Sequence, residues 1–173
     1  MSATSVETAD VIDRIIGGDP NGRIAALRSR KPALIDELQA YYVSIFEPNP
    51  ESAAAISVGD RALVAVRVAS HTGSRAVVEW YAGVAVDAGV APELIARARD
   101  VATVWDDGTS LGAAIGRADL VTLRPADTEA SDIQLLKEAG LTPAGILSLS
   151  QTIAFVAYQV RLIAGLRALG DLR

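Results

Sequence analysis

Residues 57–73, SVGDRALVAVRVASHTG, decide the fold class of this chain. Ser57 is the predicted N-cap of a helix that runs to about Ser70, because a serine oxygen can accept hydrogen bonds from first-turn amides. Apolar side chains occupy most sides of this helix, namely Val58, Leu63, Val64, Val66 and Val68. Such a helix is typical of the centre of a helical domain. We therefore expect the other elements to pack around it.

The segments on both sides of this helix also have helical periodicity. Apolar residues recur at spacings of three and four between Leu34 and Phe46, and no useful length alternates with a period of two. Turns rich in Gly, Pro and Asp separate further predicted helices at 8–17, 23–30, 33–46, 74–88, 92–104, 109–123, 128–139 and 142–169. The sequence predicts an all-α fold of eight or nine helices, with 1–173 forming one domain and 1–8 flexible.

The composition excludes several classes of protein. Half of the residues are apolar and 21% are charged, which excludes a disordered chain. The net charge of −5 has both signs interspersed, so we expect no nucleic-acid partner. The chain has no cysteine, which excludes disulfides, zinc–thiolate sites, iron–sulfur clusters and thiol catalysis. His71 is the single histidine, so one chain cannot supply a multi-histidine metal site, and we expect neither a metal nor a cofactor.

One uncharged segment raises the question of a membrane. Residues 139–160 lack charge and are long enough to cross a bilayer. Their polar content is high for an isolated span, and a buried helix in an oligomer fits better. Residues 1–7 lack the pattern of a signal peptide. We therefore expect a cytoplasmic protein without a membrane partner. We also expect a homo-oligomer, since the apolar content exceeds what one small core needs.

Three stretches, in this order, resemble one family. Residues 37–48 (ELQAYYVSIFEP) resemble the approach helix of its peroxidase-related members, and residues 60–73 resemble its core helix. Residues 132–142 and 158–166 are similar to its closing helices. Over residues 35–170 the chain is thus similar to the carboxymuconolactone decarboxylase / alkylhydroperoxidase-D-like (AhpD-like) family. The resemblance implies an AhpD-like orthogonal bundle of about eight helices.

The active members of that family carry Cys-x-x-Cys-x-x-x-His directly after the core helix. On this chain the cysteine positions fall on Ser74 and Val77, the histidine on Tyr81, and an upstream acid of the proton relay on Ala62. The motif places both thiols and the imidazole on one face of a helix whose N-terminus lowers the thiolate pKa. Because every one of these residues is replaced, peroxide reduction through a disulfide cycle is not possible here.

The sequence shows no complete set of acid and base residues, so no catalytic residue is assigned. Five residues are candidates for a catalytic or binding role. His71 and Tyr81 are the candidates for proton transfer, although a helix C-cap and core packing are the simpler interpretations. Ser74 is a predicted N-cap and a candidate binding residue beside Tyr81. Arg67 and Arg161 are lone charges in apolar helices, so each should pair with a carboxylate or bind an anion. The binding candidates are Arg67, Ser74, Tyr81 and Arg161.

Two functions remain open at this point. One is a non-redox member of the family that binds a small molecule or has a structural role. The alternative is a thiol-independent lyase of the carboxymuconolactone decarboxylase type, with a small carboxylate or lactone as substrate. A subunit that assists a cysteine-containing paralogue is a third class. Any ligand pocket, for example for a small carboxylate, should lie where the helix from Ser74 meets the helix ending at His71, near Arg161.

We predict no thiol-dependent peroxidase turnover with any dithiol or lipoamide donor, because the chain has no cysteine. The measurement is peroxide consumption with and without the donor. Turnover that disappears when the donor is omitted would contradict the assignment of Ser74 and Val77 as non-redox replacements.

Overall fold

The computed structural model describes residues 10–17, 22–50 and 55–171. Within these ranges the chain is all-helical and contains no strand, as the sequence predicts. The expectation that residues 1–8 are flexible concerns residues outside these ranges. The described helices are α1 (Val11–Ile16), α2 (Arg23–Arg28), α3 (Pro32–Phe46), α4 (Val58–His71), α5 (Arg75–Asp87), α6 (Pro92–Arg99), α7 (Ser110–Leu123), α8 (Ala130–Glu138) and α9 (Pro143–Asp171), with a 3₁₀ turn at Pro125–Asp127.

Helix α4 is the centre of the fold, as its apolar pattern predicts. The Ser57 side chain accepts the backbone N–H of Asp60 at 3.0 Å, so the predicted N-cap is confirmed. Every residue of α4 from Arg61 to Ala69 is buried. Helices α3, α5, α6, α7 and α9 all pack against it. The core is therefore built on a helix that is enclosed on every side.

Helix α6 is shorter than predicted, because it ends at Arg99 rather than near residue 104. The carboxylate of Asp100 accepts hydrogen bonds from the backbone N–H of Ala102 and the hydroxyl of Thr103, at 3.2 and 2.6 Å. These local bonds compete with helix continuation. The carbonyls of Asp100 and Thr103 are then turned to Arg67 of α4.

The start of α8 also differs from the prediction. Its N-cap is Glu129 rather than Thr128, and Glu129 and Asp132 form a reciprocal capping box. The Thr128 hydroxyl instead donates to the carbonyl of Pro125 in the preceding 3₁₀ turn, at 3.0 Å. This turn keeps Thr128 outside the helix.

Helix α9 is the longest element, and its 29 residues extend about 43 Å. By length and composition it could cross a membrane, and half of its most apolar window is buried within the fold. Its start packs closely on the chain before α4. A Cβ added at Gly145 would lie 2.6 Å from the carbonyl oxygen of Ala55, so only glycine fits there.

The topology brings two helices, α7 and α9, to the pair α4 and α5, where most candidate site residues lie. A turn at Gly73, with φ of +68°, sends α5 back along α4. Helix α7 packs beside α4 and carries Asp119 to Arg67. Helix α9 packs on α4 and carries Gln159 to Tyr81 of α5.

Candidate functional site

The residues that the sequence aligns with the redox motif of the family lie at the start of α5 and on its inner side. Val77 and Tyr81 are completely buried. Ser74 directly precedes α5 at its N-cap position, but its side chain makes no capping hydrogen bond. The prediction that Ser74 is the N-cap is therefore right about its position, and the capping bond itself is not formed.

Tyr81 is held by a buried polar contact with α9. Its hydroxyl donates to the side-chain oxygen of Gln159, which is also completely buried, and its ring lies 4.7 Å from that of Phe46 between centroids. Burial raises the pKa of Tyr81 well above its ordinary value; Tyr42 raises it further, and the bond to Gln159 lowers it in part. The phenol is therefore protonated near neutral pH, so it can donate a hydrogen bond but cannot act as a base.

Arg67 has its charge neutralised inside the fold. Its guanidinium binds Asp119 of α7 in a bidentate pair, with N–O distances of 2.7 and 2.8 Å. The remaining donors reach the carbonyls of Asp100 and Thr103. Because Arg67 is 2% exposed and its three nitrogens all have acceptors, it is not positioned to receive a ligand anion.

His71 shares the same carboxylate. Its Nε2 lies 2.6 Å from the Oδ1 of Asp119, and the imidazole is nearly buried. The predicted role of His71 as a helix C-cap is wrong, because Thr72 takes that position and its hydroxyl donates to the carbonyl of Ala69 at 2.7 Å. The side chains of Arg67, Asp119 and His71 thus form one cluster between α4 and α7.

Arg161 is exposed rather than buried, and it forms no ion pair among the described residues, so its pairing with a carboxylate or an anion stays a prediction. Its guanidinium donates to the carbonyl of Ala157 one turn earlier in α9, at 2.8 Å. The reason for its exposure is the helical phase: Gln159 faces the core, and a residue two positions later points roughly to the opposite side. The structure therefore does not bring Arg161 to Tyr81.

Sequence reasoning missed two residues of these contacts, Asp119 and Gln159. Each has a signal in the sequence. Asp119 is the one acid within the apolar run of residues 110–123, and a lone acid of this kind matches the lone Arg67 of α4. Gln159 is the one amide side chain within the largely apolar residues 153–160. Neither feature of the sequence identifies the residue that Asp119 or Gln159 contacts, because that depends on how α7 and α9 pack.

A groove of about 650 Å³ opens at the other end of α5 from Ser74. It lies between the C-terminal ends of α3 and α5 and the N-terminal ends of α4 and α6. None of the described residues that line it is basic, and Ser74 and Tyr81 are not among them. We call it the acidic groove; its aromatic, aliphatic and acidic lining includes Tyr42, Phe46, Leu63, Val84, Glu47, Asp60 and Asp87.

A second, smaller depression of about 320 Å³ lies on the outer side of α3 and α9. Its lining is largely apolar and includes Leu34, Tyr41, Phe155 and Tyr158. Leu34, Tyr41 and Tyr158 are well exposed, and Leu147 lies exposed on α9 as well. We call these four exposed residues the α3–α9 face.

The comparisons with known proteins identify the fold alone. The sequence matches no protein-family model and no curated protein. The structure is similar to the 1.70 Å crystal structure of an uncharacterized peroxidase-related protein from Silicibacter sp. TM1040. The TM-score is 0.68 at 16% identity, and the match covers 77% of this chain and 68% of that chain. The chain therefore shares the helical fold of that protein. This agrees with the resemblance in the sequence, while membership of the carboxymuconolactone decarboxylase family stays a prediction.

We predict that Asp119→Asn lowers the free energy of unfolding by about 3 kcal/mol, because it leaves the buried Arg67 without a counter-charge. This is the lower end of the range for buried pairs, since the Asp119 side chain keeps 23% exposure. Urea denaturation measures the effect. The matched control is Glu79→Gln, which breaks the exposed pair with Arg99 and should cost less than about 1 kcal/mol. Equal losses in both variants would contradict a stabilising role for the buried pair.

Proposed function

We propose that this chain is a non-redox, small-molecule-binding protein built on a peroxidase-related helical scaffold, with its ligand site in the acidic groove. One contrast carries the proposal. The inner side of α5 at Val77 and Tyr81 is packed, while a groove of about 650 Å³ is open at the C-terminal end of the same helix. That volume is in the range of small-molecule sites, about 300–1,000 Å³.

The thiol positions support the non-redox part of this proposal. Ser74 and Val77 cannot form a disulfide, and the hydroxyl of Tyr81 is committed to Gln159. A phenol with a raised pKa does not replace the imidazole as a proton carrier near neutral pH. The scaffold thus retains its helices without the chemistry that the family motif provides.

The alternative, a thiol-independent lyase acting on a small carboxylate or lactone, has less support. It needs a cation for the substrate carboxylate and a proton carrier beside it. Arg67 is fully engaged with Asp119 and two carbonyls, and Arg161 faces outward on α9. His71 is paired with the same Asp119, so the described candidates do not surround a free reaction site.

We also propose that the protein is soluble, cytoplasmic and self-associating, with a second copy covering the α3–α9 face. Leu147 and Leu34 are 62% and 54% exposed, and Tyr158 is 49% exposed. An area along α9 and the flank of α3, about 10 Å wide on each helix, would bury roughly 1,300 Å² in a two-fold dimer, within the range of stable interfaces. The lack of charge in residues 139–160 favours contact with an identical apolar surface.

We predict chemical-shift changes at the acidic groove when ¹⁵N-labelled protein is titrated with a panel of small amines, neutral aromatics and acids. The amides of Val84, Val90 and Leu94 should move, while those of Ser74 and Tyr81 should not, because only the former line the groove. NMR titration with each compound in turn makes the measurement.

The variant Ala91→Trp should abolish these shifts, since Ala91 is an exposed residue that lines the groove. Its control is Ala130→Trp, which places the same ring on an exposed position of α8. A panel without any saturable shift at the groove would sink the proposed function. Shifts centred on Ser74 and Tyr81 would move the site to the former redox position.

We predict that light scattering gives a mass above the 18.0 kDa of one chain at micromolar concentration. Leu147→Lys should shift the protein to the monomer, because it places a charge on the apolar face. The control, Val104→Lys, changes an 80% exposed residue elsewhere and should leave the mass unchanged. A wild-type mass of 18.0 kDa would rule out self-association under these conditions.

A further inference from the structure

We infer that two copies of the chain pair through α9 in antiparallel orientation, in the one register that sets each large apolar side chain against a small residue of the other copy. This inference rests on the self-association proposed above and specifies its geometry. It is carried by the spacing of exposed residues on α9, by the order of large and small residues among them, and by the charge of Arg161.

A seam of exposed residues runs along nearly the whole length of α9. Its members recur at alternating intervals of three and four positions, which is the period of a left-handed pair of helices. The seam consists of Ala144, Leu147, Gln151, Ala154, Tyr158, Arg161, Gly165 and Ala168, and all of them are exposed. It extends about 36 Å. We call it the α9 seam; its period fits a second helix that crosses at a small angle.

Two-fold symmetry determines which residues of the α9 seam meet. When two antiparallel copies overlap over the whole seam, its first residue faces the last residue of the other copy, and the pairing continues inward in this order. The facing pairs are Ala144–Ala168, Leu147–Gly165, Gln151–Arg161 and Ala154–Tyr158. Each pair occurs twice. Both large apolar residues of the seam therefore face a small residue.

Gly165 fits this arrangement. It lies inside α9, where glycine is unfavourable relative to alanine, and a Cβ added there would meet nothing within 4 Å. Leu147, the residue opposite, is 62% exposed and needs such a space. The exposed glycines Gly83 and Gly116 of α5 and α7 also have open space, so a glycine alone assigns no contact. The position of Gly165 opposite Leu147 does.

The depression between α3 and α9 accommodates the other large residue. Ala154 belongs to its lining, and its volume is about 320 Å³. In this register the ring of Tyr158, which is 49% exposed, faces Ala154 of the other copy, so each depression receives a ring from its neighbour. The exposed Leu34 and Tyr41 on the α3 side extend the contact beyond α9. With this flank the dimer buries roughly 1,300 Å², within the range of stable interfaces.

Arg161 favours the antiparallel orientation. It is the one charged residue of the α9 seam, and it forms no ion pair among the described residues. In a parallel pair it would face Arg161 of the other copy, and the two like charges would repel each other. In the antiparallel pair it faces Gln151, whose amide oxygen can accept a hydrogen bond from the guanidinium. The dipoles of the two helices then also run in opposite directions.

A shift of the register by one heptad removes these matches. In one direction Leu147 meets Tyr158, and Gly165 extends past the start of the other helix at Pro143. In the opposite direction Leu147 extends past the end of the other helix at Asp171. The register with full overlap is therefore the one in which both large residues contact a small one.

Introduced cysteines report which residues face each other, because the chain has none of its own. Leu147→Cys and Gly165→Cys are purified separately, mixed under reducing conditions to exchange subunits, and then mildly oxidised. We expect a disulfide-linked dimer in the mixture and none with either variant alone, since equivalent positions lie about 27 Å apart in this register. A mixture of Ala144→Cys and Arg161→Cys reports the shifted register and should stay unlinked.

Gly165→Leu tests the interface without an introduced thiol. It sets a leucine against Leu147 of the other copy and should raise the dimer dissociation constant at least about tenfold, because an overfilled contact is unfavourable. The matched control is Gly116→Leu, at an exposed glycine of α7 with equally open space, which should leave the constant unchanged. Sedimentation equilibrium measures the constants, and urea denaturation checks that both variants are folded.

The outcomes separate this geometry from self-association itself. Linkage only in the Leu147 and Gly165 mixture, with a weaker dimer in Gly165→Leu but not in Gly116→Leu, supports both. Linkage of Leu147→Cys alone indicates parallel helices, and linkage of the Ala144 and Arg161 mixture indicates the shifted register; either result overturns the inference and leaves the dimer. Equal dissociation constants in both glycine variants, or a wild-type dimer that no mixture links, also overturn it.

A wild-type mass of 18.0 kDa overturns both the geometry and the self-association. Co-sedimentation of that monomer with neutral phospholipid vesicles would then assign the α9 seam to a lipid surface. The ligand site in the acidic groove is tested separately by NMR titration, so its success or failure is independent of these results.

Discussion

The buried charge of Arg67 is the constraint on which the surroundings of α4 depend. A guanidinium that is 2% exposed must have its charge and its donors satisfied within the protein. The carboxylate of Asp119 neutralises this charge, and the resulting ion pair joins α7 to α4. The carbonyls of Asp100 and Thr103 meet the remaining donors, so the chain leaves the helical path at Arg99. One side chain thus accounts for a helix contact, a helix end and the placement of His71.

The same requirement explains the contacts of His71 and Tyr81. Asp119 is shared by Arg67 and His71, so the imidazole lies beside a carboxylate that is already paired. On the neighbouring helix, Tyr81 directs its hydroxyl to Gln159 within the core. The carboxylate of Asp119 and the hydroxyl of Tyr81 thus have partners within the protein, whereas the buried Nε2 of Gln159 has none among the described residues. An open groove lies instead at the opposite end of α5, where three helix ends carry carboxylates that form no ion pair among the described residues.

The candidate site could be predicted only in part. The sequence places Arg67 and Tyr81 in apolar helices, and this shows that each needs a polar partner. It does not show which partner, because Asp119 is 52 residues from Arg67 and Gln159 is 78 residues from Tyr81 along the chain. Arg161 illustrates the limit: its apolar neighbours suggested burial, but its phase on α9 turns it to solvent. Helical phase relative to the core is a property of packing.

The sequence by itself determined the helical class, the central position of α4, the Ser57 cap and the absence of thiol chemistry. These follow from local rules: periodicity, capping and residue type act within a few positions. The tertiary structure decided the end of α6, the pairing of Arg67 with Asp119 and the existence of the acidic groove. Glu47, Asp60 and Asp87 have nothing in common along the chain; they meet because the ends of α3, α4 and α5 converge, and that convergence is set by packing around the core.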